Sequence, residues 1–165
     1  MRNELYWVSG PWPGRLALAA RPRGGDWLPD ELAGWKGAGI DTVLSLLTPE
    51  EQRDLDLLKE AGESQKQGLE FTAFPIPDRE VPVSEAKFNE ALRRANEGLS
   101  RGENLLIHCR QGIGRSGLFA ACLLIRGGMS PSAAVDLVSA ARGLPIPETT
   151  KQRDWIERYA PAMTK

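Results

Sequence analysis

The chain has few residues that bind metals or form disulfides. Its 165 residues include two cysteines, Cys109 and Cys122, and one histidine, His108. Two thiols cannot build the disulfide framework of a small secreted protein, and with a single histidine they fall short of the usual ligand count of a zinc site. We therefore expect no disulfide, no metal and no other cofactor, and reactive sulfur is confined to two positions.

The sequence also lacks a long apolar run and an excess of charge of either sign. The mainly apolar segment 118–125 is much shorter than the roughly 20 residues of a membrane-spanning helix, and no basic-then-apolar leader is seen. The net charge is −1, from 21 basic and 22 acidic side chains, without the basic surface of a nucleic-acid binder. We expect a cytoplasmic monomer with no nucleic-acid or membrane partner and at most a local anion site.

Length and composition favour one domain over residues 1–165. With 41% hydrophobic and 26% charged residues, the chain is neither disordered nor a coiled coil, and it is long enough to bury a core.

Strand-like and helix-like segments alternate along the chain. The candidate strands are 6–8, 16–20, 40–47, 69–74 and 104–107, the first two separated by turn-forming Gly-Pro and Pro-Gly pairs. The candidate helices are 28–36, 49–61, 85–101, 116–126, 131–141 and 150–159. This alternation predicts an α/β fold, with a mainly parallel central sheet of about four to five strands between two layers of helices.

Two predicted helices begin with the sequence of a capping box. Thr48 precedes Pro49 and Glu51, which places a capping hydroxyl, a first-turn proline and a reciprocal carboxylate in order. Thr149 and Gln152 have the same spacing. A capping box needs no catalytic explanation.

The most informative segment is 108–117, which reads His-Cys-Arg-Gln-Gly-Ile-Gly-Arg-Ser-Gly and lies between a predicted strand and a predicted helix. Gly112 and Gly114 allow the loop to curl so that its backbone N–H groups point inward, and the helix N-terminus adds positive potential. These features favour an anion ligand, and above all phosphate.

A cysteine at the floor of such a loop is a candidate nucleophile. The N–H groups and the helix dipole favour the thiolate of Cys109. Arg115 has a planar guanidinium that can hold two phosphoryl oxygens and follow them into a trigonal bipyramidal transition state, which a lysine cannot do.

These residues resemble the signature loop of the cysteine-dependent protein tyrosine and dual-specificity phosphatases, His-Cys-x5-Arg-Ser/Thr, and the short length is similar to small bacterial members. The resemblance implies that Cys109 attacks phosphorus to form a phosphocysteine, that Ser116 helps the thiolate leave, and that His108 orients the loop. Ser116 is also a candidate helix N-cap, and His108 a candidate core side chain. The phosphate-binding residues implied are Arg110, Gln111, Gly112, Ile113, Gly114 and Arg115.

The resemblance also implies a general acid. Asp78, in Pro-Ile-Pro-Asp-Arg-Glu, resembles the Pro-x-x-Asp loop of small dual-specificity phosphatases, and Glu80 is the second candidate. Gln152 matches a later segment that places the attacking water in some members, although its capping role explains it equally well.

The implied activity is hydrolysis of phosphotyrosine in a phosphoprotein or phosphopeptide, with phosphoserine and phosphothreonine as further candidates. The loop lacks the added lysines of lipid-directed relatives, so proteins rank above phosphoinositides and RNA 5′-phosphates. Two other classes stay open: a phosphate-binding pseudophosphatase, and a sulfurtransferase or arsenate reductase, against which Asp78 and the Gly-Ile-Gly-Arg-Ser-Gly match argue. Cys122, among alanines and leucines, is interpreted as a core side chain.

Overall fold

A computed structural model describes the backbone of residues 4–163 and the side chains of residues 4–159. A five-stranded sheet has the order β1-β2-β5-β3-β4. Its strands are β1 (Tyr6–Val8), β2 (Leu16–Ala19), β3 (Thr42–Ser45), β4 (Glu70–Ala73) and β5 (Leu105–His108). Strand β1 is antiparallel to β2, and the other neighbours are parallel. The predicted edge pair and mainly parallel sheet are confirmed.

Helices cover both faces of the sheet. They are α1 (Leu28–Gly37), α2 (Pro49–Asp54), α3 (Glu60–Lys66), α4 (Glu85–Ser100), α5 (Gly114–Arg126), α6 (Pro131–Arg142) and α7 (Thr150–Met163), and a short 3-10 helix (Gly25–Trp27) precedes α1. One buried cluster packs α4, α5, α6 and α7 against one face, and a second packs α1 and the Leu57 and Leu69 side chains against the other. The predicted three-layer α/β sandwich is confirmed. No helix within residues 4–163 is long and apolar enough to cross a membrane.

Strand β5 lies at the centre of the sheet and its side chains alternate between the two clusters. Leu105 and Ile107 belong to the larger cluster, and Leu106 to the smaller one. Because β5 and its neighbours β2 and β3 are parallel, their carboxyl ends meet at one edge of the sheet. The loops that follow these strands are therefore close together.

The prediction of one continuous helix over 49–61 is wrong. Helix α2 ends at Asp54 and α3 begins at Glu60. Asp56 has φ of 59°, which breaks the helix, and its carbonyl accepts a hydrogen bond from the N–H of Gly25 at 3.2 Å. The break buries Leu57, which is 1% exposed. Burial in the second cluster therefore overrides local helix propensity.

The start of the helix predicted at Ser116 is also wrong. Helix α5 begins at Gly114, and Ile113 occupies the N-cap position without a side-chain cap. The N–H of Gly117 already bonds the carbonyl of Ile113 at 3.0 Å. Ser116 therefore lies within the first turn and does not cap the helix.

The predicted capping boxes are both present. At the start of α2, the Thr48 side chain accepts a hydrogen bond from the Glu51 N–H, and the Glu51 side chain accepts one from the Thr48 N–H. Gln152 N–H donates to Thr149 Oγ1 at 3.1 Å, and Thr149 N–H donates to Gln152 Oε1 at 3.2 Å. Other boundaries differ modestly: β3 and β4 are shorter than predicted, and α7 continues past Tyr159.

Candidate active site

The loop 109–113 leaves the carboxyl end of β5 and enters α5 beside a cavity of about 160 Å³. Eight residues line this cavity: Asp78, Arg79, Cys109, Arg110, Gln111, Gly114, Arg115 and Glu148. The structure thus brings the sequence-predicted nucleophile, arginine and acid to one cavity. The other predicted residues, Gly112, Ile113, Ser116, His108 and Gln152, are not among its lining residues and lie around it.

Cys109 lies at the bottom of the cavity. It is 3% exposed, and its Sγ accepts a hydrogen bond from the N–H of Gly112 at 3.3 Å. The N-terminus of α5 lies at the end of the same loop. Backbone donors and a helix N-terminus both stabilise negative charge on sulfur.

The carbonyl oxygens of the loop are bonded to groups outside it. Arg142, at the end of α6, donates from Nη2 to the carbonyl of Gln111 and from Nε to that of Gly112, both at 3.1 Å. The N–H of Arg21 donates to the carbonyl of Arg110 at 3.2 Å, and His108 Nδ1 is 3.4 Å from the carbonyl of Cys109. Because C=O and N–H point in opposite directions in a trans peptide, outward carbonyls leave the loop N–H groups directed inward.

Gly112 is required by both conformation and space. Its φ is +73°, a region that side-chain-bearing residues rarely adopt, and a Cβ there would lie 2.6 Å from the carbonyl oxygen of Ala19 on β2. The loop therefore packs directly against the end of β2.

Arg115 is buried beneath the cavity and held by Glu51, the capping-box residue of α2. Its Nη1 and Nη2 lie 2.6 and 2.9 Å from the two carboxylate oxygens, and Nη1 also donates to the carbonyl of Ile76 at 2.8 Å. Arg115 is 2% exposed. This bidentate contact sets the plane of the guanidinium.

The hydrogen-bond partners of Glu51 keep its carboxyl group ionised. Burial raises its pKa, but hydrogen bonds from Arg115, Thr48 and Arg110 outweigh burial and lower it to about 2. Burial also lowers the pKa of Arg115, whereas Glu51, Cys109 and Asp78 together raise it. The guanidinium therefore stays positively charged inside the protein.

Asp78 is on a loop anchored to the end of β3. The N–H of Phe74 bonds the carbonyl of Ser45 at 2.8 Å, and the N–H of Ile76 bonds that of Leu46 at 3.0 Å. Arg79 then adopts φ of 63° in a turn closed by a hydrogen bond from Glu80 N–H to the Pro77 carbonyl at 3.0 Å. This turn directs Asp78 to the cavity.

The carboxylates of Asp78 and Glu80 have different surroundings. Asp78 Oδ1 is 3.1 Å from Arg115 Nη2, and its side chain is 51% exposed. Glu80 instead pairs with Lys151 at 2.5 Å, and that hydrogen bond lowers its pKa. Glu80 is not among the residues that line the cavity. Geometry therefore favours Asp78 as the acid.

Gln152 uses its side-chain amide in structural contacts. Its Oε1 accepts from the N–H groups of Glu148 and Thr149, both at 3.2 Å, and its Nε2 donates to the carbonyl of Glu80 at 3.0 Å. The side chain is fully buried. It therefore joins the start of α7 to the acid loop.

His108 and Ser116 flank the nucleophile without facing the cavity. His108 is fully buried, and its Nε2 is 2.6 Å from Oε2 of Glu60, which begins α3. The hydroxyl of Ser116 is buried and has no hydrogen-bond partner among the described residues.

Sequence reasoning missed four residues of the site and its support: Glu51, Glu60, Arg142 and Glu148. Glu51 was interpreted only as a capping residue, although its position after a parallel strand was a usable signal. Glu148 lines the cavity and pairs with Arg79 at 3.3 Å. Arg142 and Glu60 come from distant segments, and nothing in their local sequence marks them.

Comparison with known proteins identifies the family. The model described as "Swiss Army Knife protein, DSP-PTPase phosphatase domain" matches residues 3–157. Cyclin-dependent kinase inhibitor 3 of Rattus norvegicus is 30% identical over 126 residues, which cover 75% of this chain and 59% of that protein. The chain therefore spans about three fifths of the length of this relative.

Solved structures share the fold. Kinase associated phosphatase with a serine in place of its catalytic-site cysteine superposes with a TM-score of 0.91 and 24% identity, covering 99% of this chain and 97% of that one. Tk-PTP in its active form superposes with a TM-score of 0.79 and 28% identity, covering 95% and 96% of the two chains. With the family model matching nearly the whole chain, this protein belongs to the phosphatase-domain family of dual-specificity and protein tyrosine phosphatases of the Swiss Army Knife type.

Proposed function

We propose that this protein is a cysteine-dependent phosphatase that hydrolyses phosphotyrosine in proteins, with phosphoserine and phosphothreonine as further substrates. The supporting observation is that Cys109, Arg115 and Asp78 line one cavity. A nucleophile, a fixed bidentate cation and an acid are the groups that phosphate-ester hydrolysis through a phosphocysteine requires.

In the first step, the Cys109 thiolate attacks phosphorus while the bond from phosphorus to the ester oxygen breaks. Asp78 supplies a proton to that leaving oxygen. Arg115 and the inward N–H groups of the loop bind the phosphoryl oxygens throughout. Because Asp78 contacts Arg115 in the free protein, the arriving phosphoryl group replaces Asp78 as the partner of one guanidinium nitrogen.

In the second step, water attacks phosphorus and gives its proton to Asp78, while the sulfur–phosphorus bond breaks and the thiolate returns. The unpaired hydroxyl of Ser116 would donate a hydrogen bond to the departing sulfur. We assign Gln152 to holding the acid loop, since its amide bonds Glu80, Glu148 and Thr149.

The charges of the cavity favour a substrate with one phosphate. Three arginines line it, and each is paired with a carboxylate: Arg79 with Glu148, Arg110 with Glu51, and Arg115 with Glu51 and Asp78. The loop 110–114 contributes one basic side chain, Arg110, and no lysine that could bind a second phosphate, so phosphoproteins rank above phosphoinositides. We propose that residues 1–165 form one domain, which acts in the cytoplasm as a monomer and needs no metal, nucleic-acid partner or membrane partner.

The test is turnover on a panel of phosphotyrosine, phosphoserine and phosphothreonine peptides, with phosphoinositides and 5′-phosphorylated RNA alongside. We expect hydrolysis of phosphotyrosine peptides by the wild type and none by Cys109→Ser or Arg115→Ala. Cys109→Ser should still bind the phosphopeptide, because the loop N–H groups remain.

The matched control is Cys122→Ser, which alters the other buried cysteine and should retain activity. Turnover by Cys109→Ser would reject the nucleophile. Tight peptide binding by a wild type that has no turnover at any pH would identify a pseudophosphatase.

A further inference from the structure

A buried glutamate lies behind the nucleophile, on the face of the sheet opposite the larger cluster. His108 and Glu60 are 0% and 1% exposed. Side chains of successive residues at the end of β5 point to opposite faces, so the His108 ring lies near Trp35 of α1, with ring centroids 5.8 Å apart. The Glu60–His108 pair is therefore separated from solvent and from the cavity.

Burying this carboxylate is costly. Glu60 Oε2 is 2.6 Å from His108 Nε2, whereas Oε1 has no hydrogen-bond partner among the described residues. A buried carboxyl group needs a polar partner, and the imidazole of His108 is the partner of Glu60 in this structure. An effect of Glu60 on the active site is therefore exerted through His108.

The other nitrogen of the imidazole faces the active-site loop. His108 Nδ1 is 3.4 Å from the carbonyl oxygen of Cys109. A bare Nδ1 would direct its lone pair at that oxygen, so this nitrogen carries a hydrogen and donates it. A proton held between Glu60 and Nε2 is compatible with this arrangement, and the contact with Glu60 keeps the ring from turning.

The orientation of the Cys109 carbonyl determines where the next N–H points. In the trans peptide between Cys109 and Arg110, the N–H of Arg110 is directed away from His108. Arg110 lines the cavity. The hydrogen bond from His108 therefore turns this N–H towards the thiolate and the phosphoryl group.

We propose that Glu60 is a positioning residue of the phosphatase site, acting through His108 to hold the Cys109–Arg110 peptide with its N–H directed into the anion loop. This inference rests on the proposed function. Removing Glu60 should therefore weaken phosphate binding and slow the alkylation of Cys109.

Other charged groups face the thiolate and are unchanged in the test. Arg110 lies in the loop, Arg115 on α5, Asp78 and Arg79 on the acid loop, and Glu148 before α7. Because none of them contacts Glu60 in the described structure, a shift on changing Glu60 is attributable to His108 and its peptide.

The first test is made on the wild type, in which His108 is the one histidine of the sequence. Nitrogen-15 NMR of histidine-labelled protein near neutral pH then reports a single ring. We expect Nδ1 to carry a hydrogen that exchanges slowly with solvent. A bare Nδ1, with the hydrogen at Nε2 alone, would overturn the proposal.

The second test compares Glu60→Leu with Glu60→Gln. In Glu60→Leu, we expect inhibition by inorganic phosphate to weaken about tenfold and the rate of Cys109 alkylation by iodoacetamide at neutral pH to fall about tenfold. Glu60→Gln keeps a hydrogen-bonding group of the same shape and should fall between this variant and the wild type. Alkylation is read at the Cys109 peptide by mass spectrometry.

The matched controls are Glu31→Leu and Glu31→Gln. Glu31, on α1, is also buried and paired, with Arg23, on the same side of the sheet. These controls should lose thermal stability without changing the rate of Cys109 alkylation or the inhibition by phosphate. Equal shifts in the Glu31 and Glu60 variants, or lowered stability alone in Glu60→Leu, would leave Glu60 with a structural role only.

NMR and alkylation do not require turnover. A wild type that hydrolyses no phosphate ester would reject the proposed function while these two measurements still report on the hydrogen bond. If Glu60→Leu fails to fold, Glu60→Gln and the wild-type NMR spectrum decide the question.

Discussion

The two terminal nitrogens of Arg115 each donate to one carboxylate oxygen of Glu51, at 2.6 and 2.9 Å, across 64 positions of sequence. The same carboxylate caps α2 and accepts a hydrogen bond from Arg110 Nε at 3.2 Å. One side chain therefore joins the first turn of α2, the loop after β5 and the start of α5. It orients the guanidinium before a phosphoryl group arrives.

Removing this partner should impair both stability and catalysis. In Glu51→Gln the buried guanidinium loses its bidentate counter-ion and keeps only the half-exposed Asp78, and we expect a loss of about 3 kcal/mol in the free energy of unfolding. We expect kcat/KM for phosphotyrosine peptide to fall about 100-fold, because the guanidinium plane is no longer set. Urea unfolding and steady-state kinetics measure the two effects. Glu50→Gln, an exposed change in the same turn, is the control, and full activity of Glu51→Gln would contradict this role.

The same ion pair predicts how stability depends on pH. The pKa of Glu51 is about 2 in the folded protein and 4.5 ordinarily, so the carboxylate contributes stability above pH 4.5 that is lost as pH falls towards 2. Its contribution is about 3 kcal/mol. The difference in unfolding free energy between wild type and Glu51→Gln should therefore shrink between pH 6 and pH 3. Taking the difference cancels the effect of other carboxylates, and a constant difference would reject this prediction.

Asp78→Asn should reduce activity according to the leaving group. Phosphotyrosine needs its phenolic oxygen protonated, so we expect a loss of about 100-fold or more, and a smaller loss on p-nitrophenyl phosphate. Glu80→Gln is the control, because Glu80 pairs with Lys151 outside the cavity. Equal losses on both substrates, or a larger loss in Glu80→Gln, would move the acid elsewhere.

Gly112→Ala, in the active-site loop, and Gly102→Ala, after α4, distinguish the effect of backbone strain from that of steric crowding. Gly112 and Gly102 have φ of +73° and +93°, but only at Gly112 would a Cβ meet backbone, at 2.6 Å from Ala19. Gly102→Ala should cost about 1–2 kcal/mol in unfolding free energy and leave kcat unchanged. Gly112→Ala should cost more and abolish turnover, because the loop must move away from β2. Retained turnover in Gly112→Ala would show that the loop tolerates that displacement.

Peroxide should inactivate the protein through Cys109 and leave Cys122 intact. Burial raises the pKa of the Cys122 thiol, so it stays protonated and unreactive. Cys109 opens to the cavity and should form a sulfenic acid, a sulfenamide or a mixed disulfide, reversible by added thiol. Dimedone labelling with peptide mass spectrometry identifies the modified residue. Cys122→Ser should lose activity at the wild-type rate, and a Cys109–Cys122 disulfide in folded protein would contradict this placement.

Local sequence was sufficient to predict the α/β fold, most helix starts and the anion loop. The hydrophobic period, the capping residues and the spacing of glycines are each set by a few neighbouring residues. Thr48, Ser84 and Ser130 therefore predicted three helix starts that the structure contains. The break between α2 and α3 was not predictable in this way. It depends on burial of Leu57 against elements that lie far away in sequence.

For the site, the local sequence predicted an anion loop that holds Cys109 and Arg115, and the resemblance of segments 108–117 and 75–80 to the phosphatase signature and acid loops added Asp78. Their partners were decided by the tertiary structure. Glu51, Glu60 and Arg142 reach the loop from three separate helices, and each acts through a hydrogen bond made only when the parallel sheet brings those helices together. Such contacts leave no periodicity in the chain, since a carboxylate or guanidinium at a helix end looks the same whether it faces solvent or a buried partner.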